Sequence, residues 1–568
     1  MSEPPESDFE SMPDWVQAAL ERALKRQPAP SPLAHRAGDA WPLLVEAAVV
    51  RSFLPRDLAP NAVDTENRSN AEGIVLGFAE TTYGPDGVQW SLTQQSRAEV
   101  VDAAWATGDL QKAIDDTTTR FKDDISFALR TCLTQGSDLV QASDLKSLEA
   151  TRIAVASLAG VSTLKLPSLK LLDREIELRR LLAQFERMIG RRSDTTGSAK
   201  KDRFFGRADE LEKLRGYVGV ISAATLFGSA KRVIDSVFRK IKGRGALAVW
   251  GVGGAGKTTL ISKFMLEHAE AASSRYPFAY LDFDRATIGA RQRLGLLAEM
   301  CRQAGTQFDE LAEPMAKLQT EVRELARRLE STKEFEYISY VAPYCLKFRK
   351  LVDQLLESLE SRFEWSRPFL LVFDTFELVQ YTEGEIEGQD DIKGLEDFVQ
   401  GFSEPNEGPW PRLRLIISGR KKITHFLGEV EDLPVGALDP QGSAELLVAL
   451  SADADNPITE AQAKRVVTAV AKKVKEPNRG VQPLRLRLIG EVFRDPERDG
   501  QAIVQSLVDE LSKPLKSHGL AAKILIDGIL VRRVLEHVAD GRVRALADPG
   551  LVVRRITPEV IEKVMTRG

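Results

Sequence analysis

The sequence predicts an α/β core, a parallel sheet with helices on both faces, preceded by a mainly helical region and followed by helical segments. Three observations predict it. The chain has 568 residues, more than one hydrophobic core holds, so several domains are expected. Four short apolar runs rich in branched and aromatic residues (246–250, 278–283, 369–373 and 413–417) alternate with helical stretches, the pattern of buried parallel strands. A glycine-rich run follows the first of them directly and leads into a helix.

The elements follow in order. Residues 1–40 are polar and Pro-rich, with a short amphipathic helix expected between Trp15 and Lys25. Apolar runs at 74–78 and 89–92 flank Gly84-Pro85-Asp86-Gly87, which predicts a hairpin. A helix is expected from Ser96, so this unit reads as winged-helix-like. Residues 110–189 are mostly helical, with breaks at Gly160 and Pro167. Residues 191–201 lack large apolar side chains and read as a linker. Residues 321–363 form a charged helical insertion, with Leu325, Leu329, Leu351, Leu355 and Leu359 marking its apolar faces. It packs on the sheet or serves as a docking arm. Residues 440–516 read as helices, and 521–565 as helices plus short strands around Gly550 to Val553. The expected domains are therefore 1–190, a linker at 191–202, an α/β domain at 203–438, a helical domain at 439–516 and a winged-helix domain at 517–568.

Composition narrows the class. A 43% hydrophobic and 28% charged balance is ordinary for a globular protein, and a net charge of −5 gives no global pull toward nucleic acid or anionic membranes. Cys132, Cys301 and Cys345 lie far apart, without zinc-site spacing, which suits a reducing cytoplasm. The acidic N-terminus lacks an apolar signal core, and no apolar run reaches the ~18 residues of a membrane span.

The chemistry is concentrated at Gly251-Val252-Gly253-Gly254-Ala255-Gly256-Lys257-Thr258, a P-loop. Gly251, Gly253, Gly254, Ala255 and Gly256 let backbone N–H groups wrap phosphates without Cβ clashes, and the helix that opens at the loop adds partial positive charge. Lys257 reaches the terminal phosphates, the Thr258 hydroxyl ligates Mg²⁺, and Thr259 continues the phosphate-binding turn. A P-loop predicts a carboxylate on a neighbouring strand, and Asp374 ends the run 369–373. Thr375 stands where many such sites carry a second acid. The next acid is Glu377, a candidate to polarise the attacking water. Arg420, after the strand 413–417, is a candidate sensor of the terminal phosphate. The catalytic candidates are thus Lys257, Asp374 and Glu377, the metal ligands Thr258 and Asp374, and the cofactors ATP or ADP with Mg²⁺.

In this order the motifs resemble the STAND class of P-loop ATPases, relatives of NLR and NB-ARC switch proteins. The resemblance spans about residues 203–568. Phe204-Phe205-Gly206-Arg207-Ala208-Asp209-Glu210 looks like the motif that precedes the P-loop in this class, which implies that Gly206 and Arg207 lie near the adenine and phosphates. Ser418-Gly419-Arg420 looks like its sensor arginine. Gly480-Val481-Gln482-Pro483 looks like its Gly-x-Pro element stretched by one residue, which implies Pro483 against the adenine. The segments 278–285, 374–377 and 543–558 are similar to a bacterial subgroup whose members often carry C-terminal TPR repeats. No Met-His-Asp motif is found, and His537 is only a candidate for its histidine. Thr375 in place of a second acid suits slow hydrolysis.

The resemblance implies a nucleotide-dependent regulatory switch that self-associates in its ATP state and answers to a protein trigger or effector, as in bacterial signalling or defence. Two alternatives stay open: an AAA+-like remodelling ATPase, and a nucleotide-regulated DNA-binding transcription factor. Nucleic acid is not the favoured partner, since Lys and Arg are not concentrated in the first 190 residues. No nucleophile–base arrangement is legible there, and Asp123-Asp124 reads as a solvated helix face.

Overall fold

The structure is a computed structural model. It describes residues 32–59, 63–84, 87–136, 144–190, 203–219, 245–270, 275–285, 288–329, 337–360, 367–380, 385–404, 408–452, 457–474, 480–493 and 500–512. The expected N-terminal helix, the linker, the winged-helix domain at 517–568 and His537 lie outside these residues. The chain divides into two compact units, Met1–Arg180 and Leu181–Gly568, so the division falls ten residues before the expected one.

In the first unit, helices α1 (Trp41–Ala48), α2 (Thr65–Leu76), α3 (Gln94–Thr107), α4 (Asp109–Thr118), α5 (Asp124–Gln135) and α6 (Leu145–Ser157) enclose a core that includes Leu43, Leu44, Val100, Val101, Leu129 and Leu148. A hairpin of β1 (Ala79–Gly84) and β2 (Gly87–Leu92) joins α2 to α3. The first strand expected at 74–78 is instead the end of α2, to Leu76, and the turn after it. Those apolar residues fill the core from a helix, and the polar run Ala79-Glu80-Thr81-Thr82-Tyr83 makes the strand, because it can leave one face to solvent. The pairing Gly84↔Gly87 fixes the register. Buried Arg97 donates to the carbonyls of Ala48 and Val50 at 2.6 and 2.8 Å and so satisfies the C-terminal end of α1.

The second unit begins within α7 (Leu169–Met188), and α8 (Ala208–Val218) precedes the sheet. The five parallel strands are β3 (Leu247–Trp250), β4 (Phe278–Asp282), β5 (Phe369–Asp374), β6 (Leu413–Gly419) and β7 (Glu431–Pro434), in the spatial order β4-β5-β6-β3-β7. All six residues of β5 are buried, because helices cover both faces. One face packs α10 (Arg293–Gln307), α11 (Asp309–Leu329) and α12 (Tyr337–Glu360), with the Phe348 ring 5.3 Å from Phe369. The insertion thus starts earlier than expected, and Leu355 and Leu359 belong to the core. On the opposite face, Tyr217 of α8 donates to the carbonyl oxygens of Gly245 and Leu415, both at 2.9 Å. The helix α9 (Lys257–Glu270) leaves the P-loop and buries Leu260, Ile261 and Phe264.

A one-turn helix, α13 (Glu377–Gln380), and a longer one, α14 (Glu385–Gln400), follow β5. After the sheet come α15 (Pro440–Ser451), α16 (Glu460–Val474), α17 (Pro483–Val492) and α18 (Gly500–Ser512), which share a core of Leu447, Val466, Val470, Leu486, Ile489 and Val504. Asp439 caps α15 by accepting from the Gly442 amide at 2.8 Å.

Candidate functional site

The site is built where β3, β5 and β6 end. Gly254 and Gly256 hold φ angles of +79° and +92°, which glycine adopts without Cβ strain. Gly251 meets a different demand. A Cβ there would stand 2.1 Å from the Val435 carbonyl oxygen, because β7 runs alongside the start of the loop. The edge strand β7 was not among the strands expected from sequence, since Glu431 and Asp432 interrupt its apolar pattern.

Asp374 is not on the strand next to β3. β6 lies between them, so the two halves of the site are brought together across a strand. The Thr258 hydroxyl donates to Asp374 Oδ2 at 2.8 Å. Tyr280, projecting from β4, donates its hydroxyl to the same oxygen at 2.6 Å. The Thr375 amide donates to Asp374 Oδ1 at 2.9 Å, and the Thr375 hydroxyl donates to Asp282 Oδ1 at 2.7 Å. Thr375 holds φ +59°, a strained value for a β-branched residue, so the turn after β5 is constrained by these bonds. Burial pushes the Asp374 carboxyl above its ordinary value, against the opposing effect of its hydrogen-bond donors. Burial also holds the Tyr280 phenol well above 10, and the adjacent Asp374 adds to this, so Tyr280 remains a donor.

Lys257 donates to its own loop's carbonyls, Gly251 at 2.9 Å and Val252 at 3.3 Å. Arg420 stands beside the loop: a Cβ on Gly253 would lie 3.5 Å from its guanidinium carbon. Its Nε is 3.0 Å from Oε1 of buried Glu377, so the two residues assigned opposite tasks from sequence form an ion pair. Thr259 Oγ1 donates to the Met188 carbonyl at 3.3 Å and thus turns away from the loop.

Arg207, which the resemblance puts near the adenine and phosphates, lies against the P-loop. It is buried and donates to the carbonyls of Ala255 at 3.0 Å and Gly436 at 2.5 Å, with Glu210 Oε1 at 2.6 Å. It braces the P-loop from behind, because two carbonyls and a carboxylate satisfy the fork of the guanidinium. Gly206 packs against Asp439 and Gly442 at the start of α15. Ala255 is fully buried, its carbonyl held by Arg207.

A cavity of about 630 Å³ opens in front of the loop, walled by Gly254, Gly256, Lys257, Thr258 and Thr259 on one side. Pro483 lines it with its ring beside Gly256, and the Leu484 amide donates to the Gly254 carbonyl at 3.2 Å. Sequence reasoning missed other lining residues: Met188 and Arg203 from before the sheet, Leu446 and Leu450 on α15, and Arg487 on α17. They are distant in sequence and carry no motif. Tyr280 had a signal. It stands two residues before Asp282, so it shares that residue's face of the strand at the sheet's C-terminal edge.

The oxygens of Thr258 and Asp374 are hard donors suited to Mg²⁺, which takes only one or two protein ligands and fills its shell with water and phosphate. Among the described residues no group of three or more His, Cys, Asp or Glu side chains gathers as a metal cage. No described helix is long and apolar enough to cross a membrane.

No family model matches the chain, and no curated protein matches it. Among solved structures, a Walker-type ATPase of Pyrococcus abyssi is similar at 15% identity with a TM-score of 0.29, over 63% of this chain and 87% of that one. A chain of a HORMA:CdnC:Trip13 complex from Escherichia coli MS115-1 is similar at 14% identity with a TM-score of 0.29, over 54% and 90%. Scores at this level carry no argument, so function rests on the site's own geometry.

Proposed function

We propose that the chain is an ATP- and Mg²⁺-dependent regulatory switch of the STAND class that turns over slowly. The observation that carries this reading is the 2.8 Å bond from Thr258 to Asp374, joining the P-loop to the buried carboxylate across β6 beside a cavity that α17 closes. When bound, Mg²⁺ neutralises phosphate charge and orders the terminal phosphate. The protein's residues do the rest. Loop amides and the N-terminus of α9 hold the phosphates, and Lys257 leaves its carbonyl partners for the terminal phosphate oxygens. Thr258 and Asp374 supply the metal's protein oxygens, and Tyr280 holds Asp374 in orientation. Arg420 senses the terminal phosphate by exchanging Glu377 for it, and Glu377 then serves as the base for the attacking water. An ion-paired Glu377 and a Thr375 without a carboxyl both favour slow hydrolysis.

Contacts that differ between ADP and ATP bias the docking of α17, which is the physical requirement for a switch. Self-association in the ATP state and a protein trigger belong to the same proposal. The test begins with the nucleotide that copurifies with the protein, identified after denaturation. Wild type is expected to carry ADP or ATP and to hydrolyse well below about one turnover per second. Lys257→Ala is expected to lose the nucleotide while keeping its thermal midpoint, since the loop carbonyls that Lys257 bonds stay open to water or to each other's amides without it. Retention of nucleotide by that variant sinks the site. Faster turnover stimulated by a protein or DNA substrate favours the remodelling ATPase.

A further inference from the structure

We propose that the last turn of α7, residues 187–190, forms the base-binding end of the nucleotide site, a role for a segment upstream of the linker that rests on the nucleotide reading above. The cavity has more lining than the P-loop supplies. At about 630 Å³ it falls in the range of small-molecule sites, and the P-loop accounts for only one of its walls. A triphosphate held by Lys257 and Thr258 directs its nucleoside away from the loop. The rest of the lining includes the apolar side chains of Met188, Ile189, Leu446 and Leu450. A purine has apolar faces and polar edges, so these apolar side chains suit its faces, while Arg487 and Glu491 in the same lining offer polar groups to its edges.

The turn is built into the site rather than passing near it. The Met188 carbonyl accepts from Thr259 Oγ1 at 3.3 Å, and its sulfur accepts from Ser262 Oγ at 3.1 Å, both on the helix that the P-loop opens. Phe185, one turn earlier, is fully buried and meets the Tyr280 ring edge-on at 5.2 Å. Tyr280 in turn holds Asp374. Gly190 ends the turn at φ +66°, and a Cβ there would lie 3.4 Å from Arg203 Cβ, so the two ends of the linker meet at the cavity wall. The end of α7 thus lines the cavity through Met188 and approaches the metal end through Phe185.

The experiment separates the two ends of the ligand. Titration calorimetry on the full chain measures ATP and, as a probe of the phosphate end alone, inorganic tripolyphosphate. Met188→Trp fills the space assigned to the base, and Leu446→Trp fills it from α15. Each is expected to weaken ATP at least about tenfold while tripolyphosphate stays within about twofold. In wild type, ATP but not tripolyphosphate is expected to protect the amides of residues 188–190 from hydrogen exchange, a measurement that needs no variant to fold. The proposal is overturned if both folded tryptophan variants bind ATP as wild type does, if they weaken both ligands equally, or if the two ligands protect the turn alike. Lys257→Ala keeps the two failures apart. Weakening of both ligands there with no effect of the tryptophans removes only the base-end assignment, whereas no effect of Lys257→Ala removes the nucleotide reading itself.

Discussion

Asp374 is the residue on which the site converges, and its buried carboxylate depends on donors that take the place of water. Tyr280 is one of those donors, from outside the P-loop and the strand that carries Asp374. Tyr280→Phe keeps the ring against Phe185 and deletes only the hydroxyl. Partners that orient a metal ligand typically matter about tenfold or more in metal affinity, so the Mg²⁺ concentration for half-maximal ATP binding is expected to rise by about that factor at unchanged thermal stability. An unchanged Mg²⁺ requirement removes Tyr280 from the site. His268, on the helix leaving the P-loop, offers a second test. It is buried between the Phe264 and Tyr276 rings, and neither ring nitrogen has a hydrogen-bond partner among the described residues. Burial lowers its pKa to about 4, below the ordinary 6.5. The unfolded chain therefore binds the proton first. His268 favours folding above pH 6.5, and that contribution falls away as pH drops from 6.5 through 4. His268→Leu is expected to flatten the fall in thermal midpoint over this window. An identical pH profile in the two proteins refutes the assignment.

At the scale of elements, the joint between the P-loop and α17 decides how the cavity closes. The Leu484 amide bonds to the Gly254 carbonyl, and a Cβ on Gly254 would lie 2.5 Å from Leu484 Cβ in a backbone conformation that favours glycine. Gly254→Ala is therefore expected to cost about 1 kcal/mol or more in strain and to push α17 off the loop. Faster amide exchange throughout Pro483–Val492, with β3 and β5 protected as before, is the expected signature. Exchange that rises equally in the strands means that the fold as a whole has loosened instead. The motif around Gly480 was legible as a resemblance to a Gly-x-Pro element, but its neighbour across space was not. A Cβ at Gly480 would stand 1.6 Å from the Leu438 carbonyl oxygen, which explains why the turn needs glycine there.

At the scale of the whole chain, the switch reading predicts a change of state with nucleotide. Light scattering on the full chain with ADP is expected to report one mass, and with ATP and Mg²⁺ a larger one that returns as ATP is consumed. Equal masses under both conditions favour an enzyme that works without self-association. The coupling is expected to depend on Arg420, since its exchange of Glu377 for the terminal phosphate is the contact that distinguishes the two nucleotides.

What the amino-acid sequence determined by itself was the phosphate loop, the four buried strands and the helices around them. Those signals are local. Glycine spacing, apolar runs and the strand-to-helix transition need no knowledge of distant residues, and β3 to β6 formed within a residue or two of the runs that announced them. The hairpin's first strand was misplaced because an apolar triplet fills a core equally well from a helix. Only the tertiary structure decided that β6 separates Asp374 from the P-loop strand, that β7 joins the edge, that Arg207 braces the loop rather than facing the cavity, and that Glu377 and Arg420 are paired. It alone brought Tyr280 to Asp374 and the end of α7 to the cavity. Those are contacts between residues far apart in the chain, set by strand order and side-chain packing, and no local pattern in the sequence encodes them.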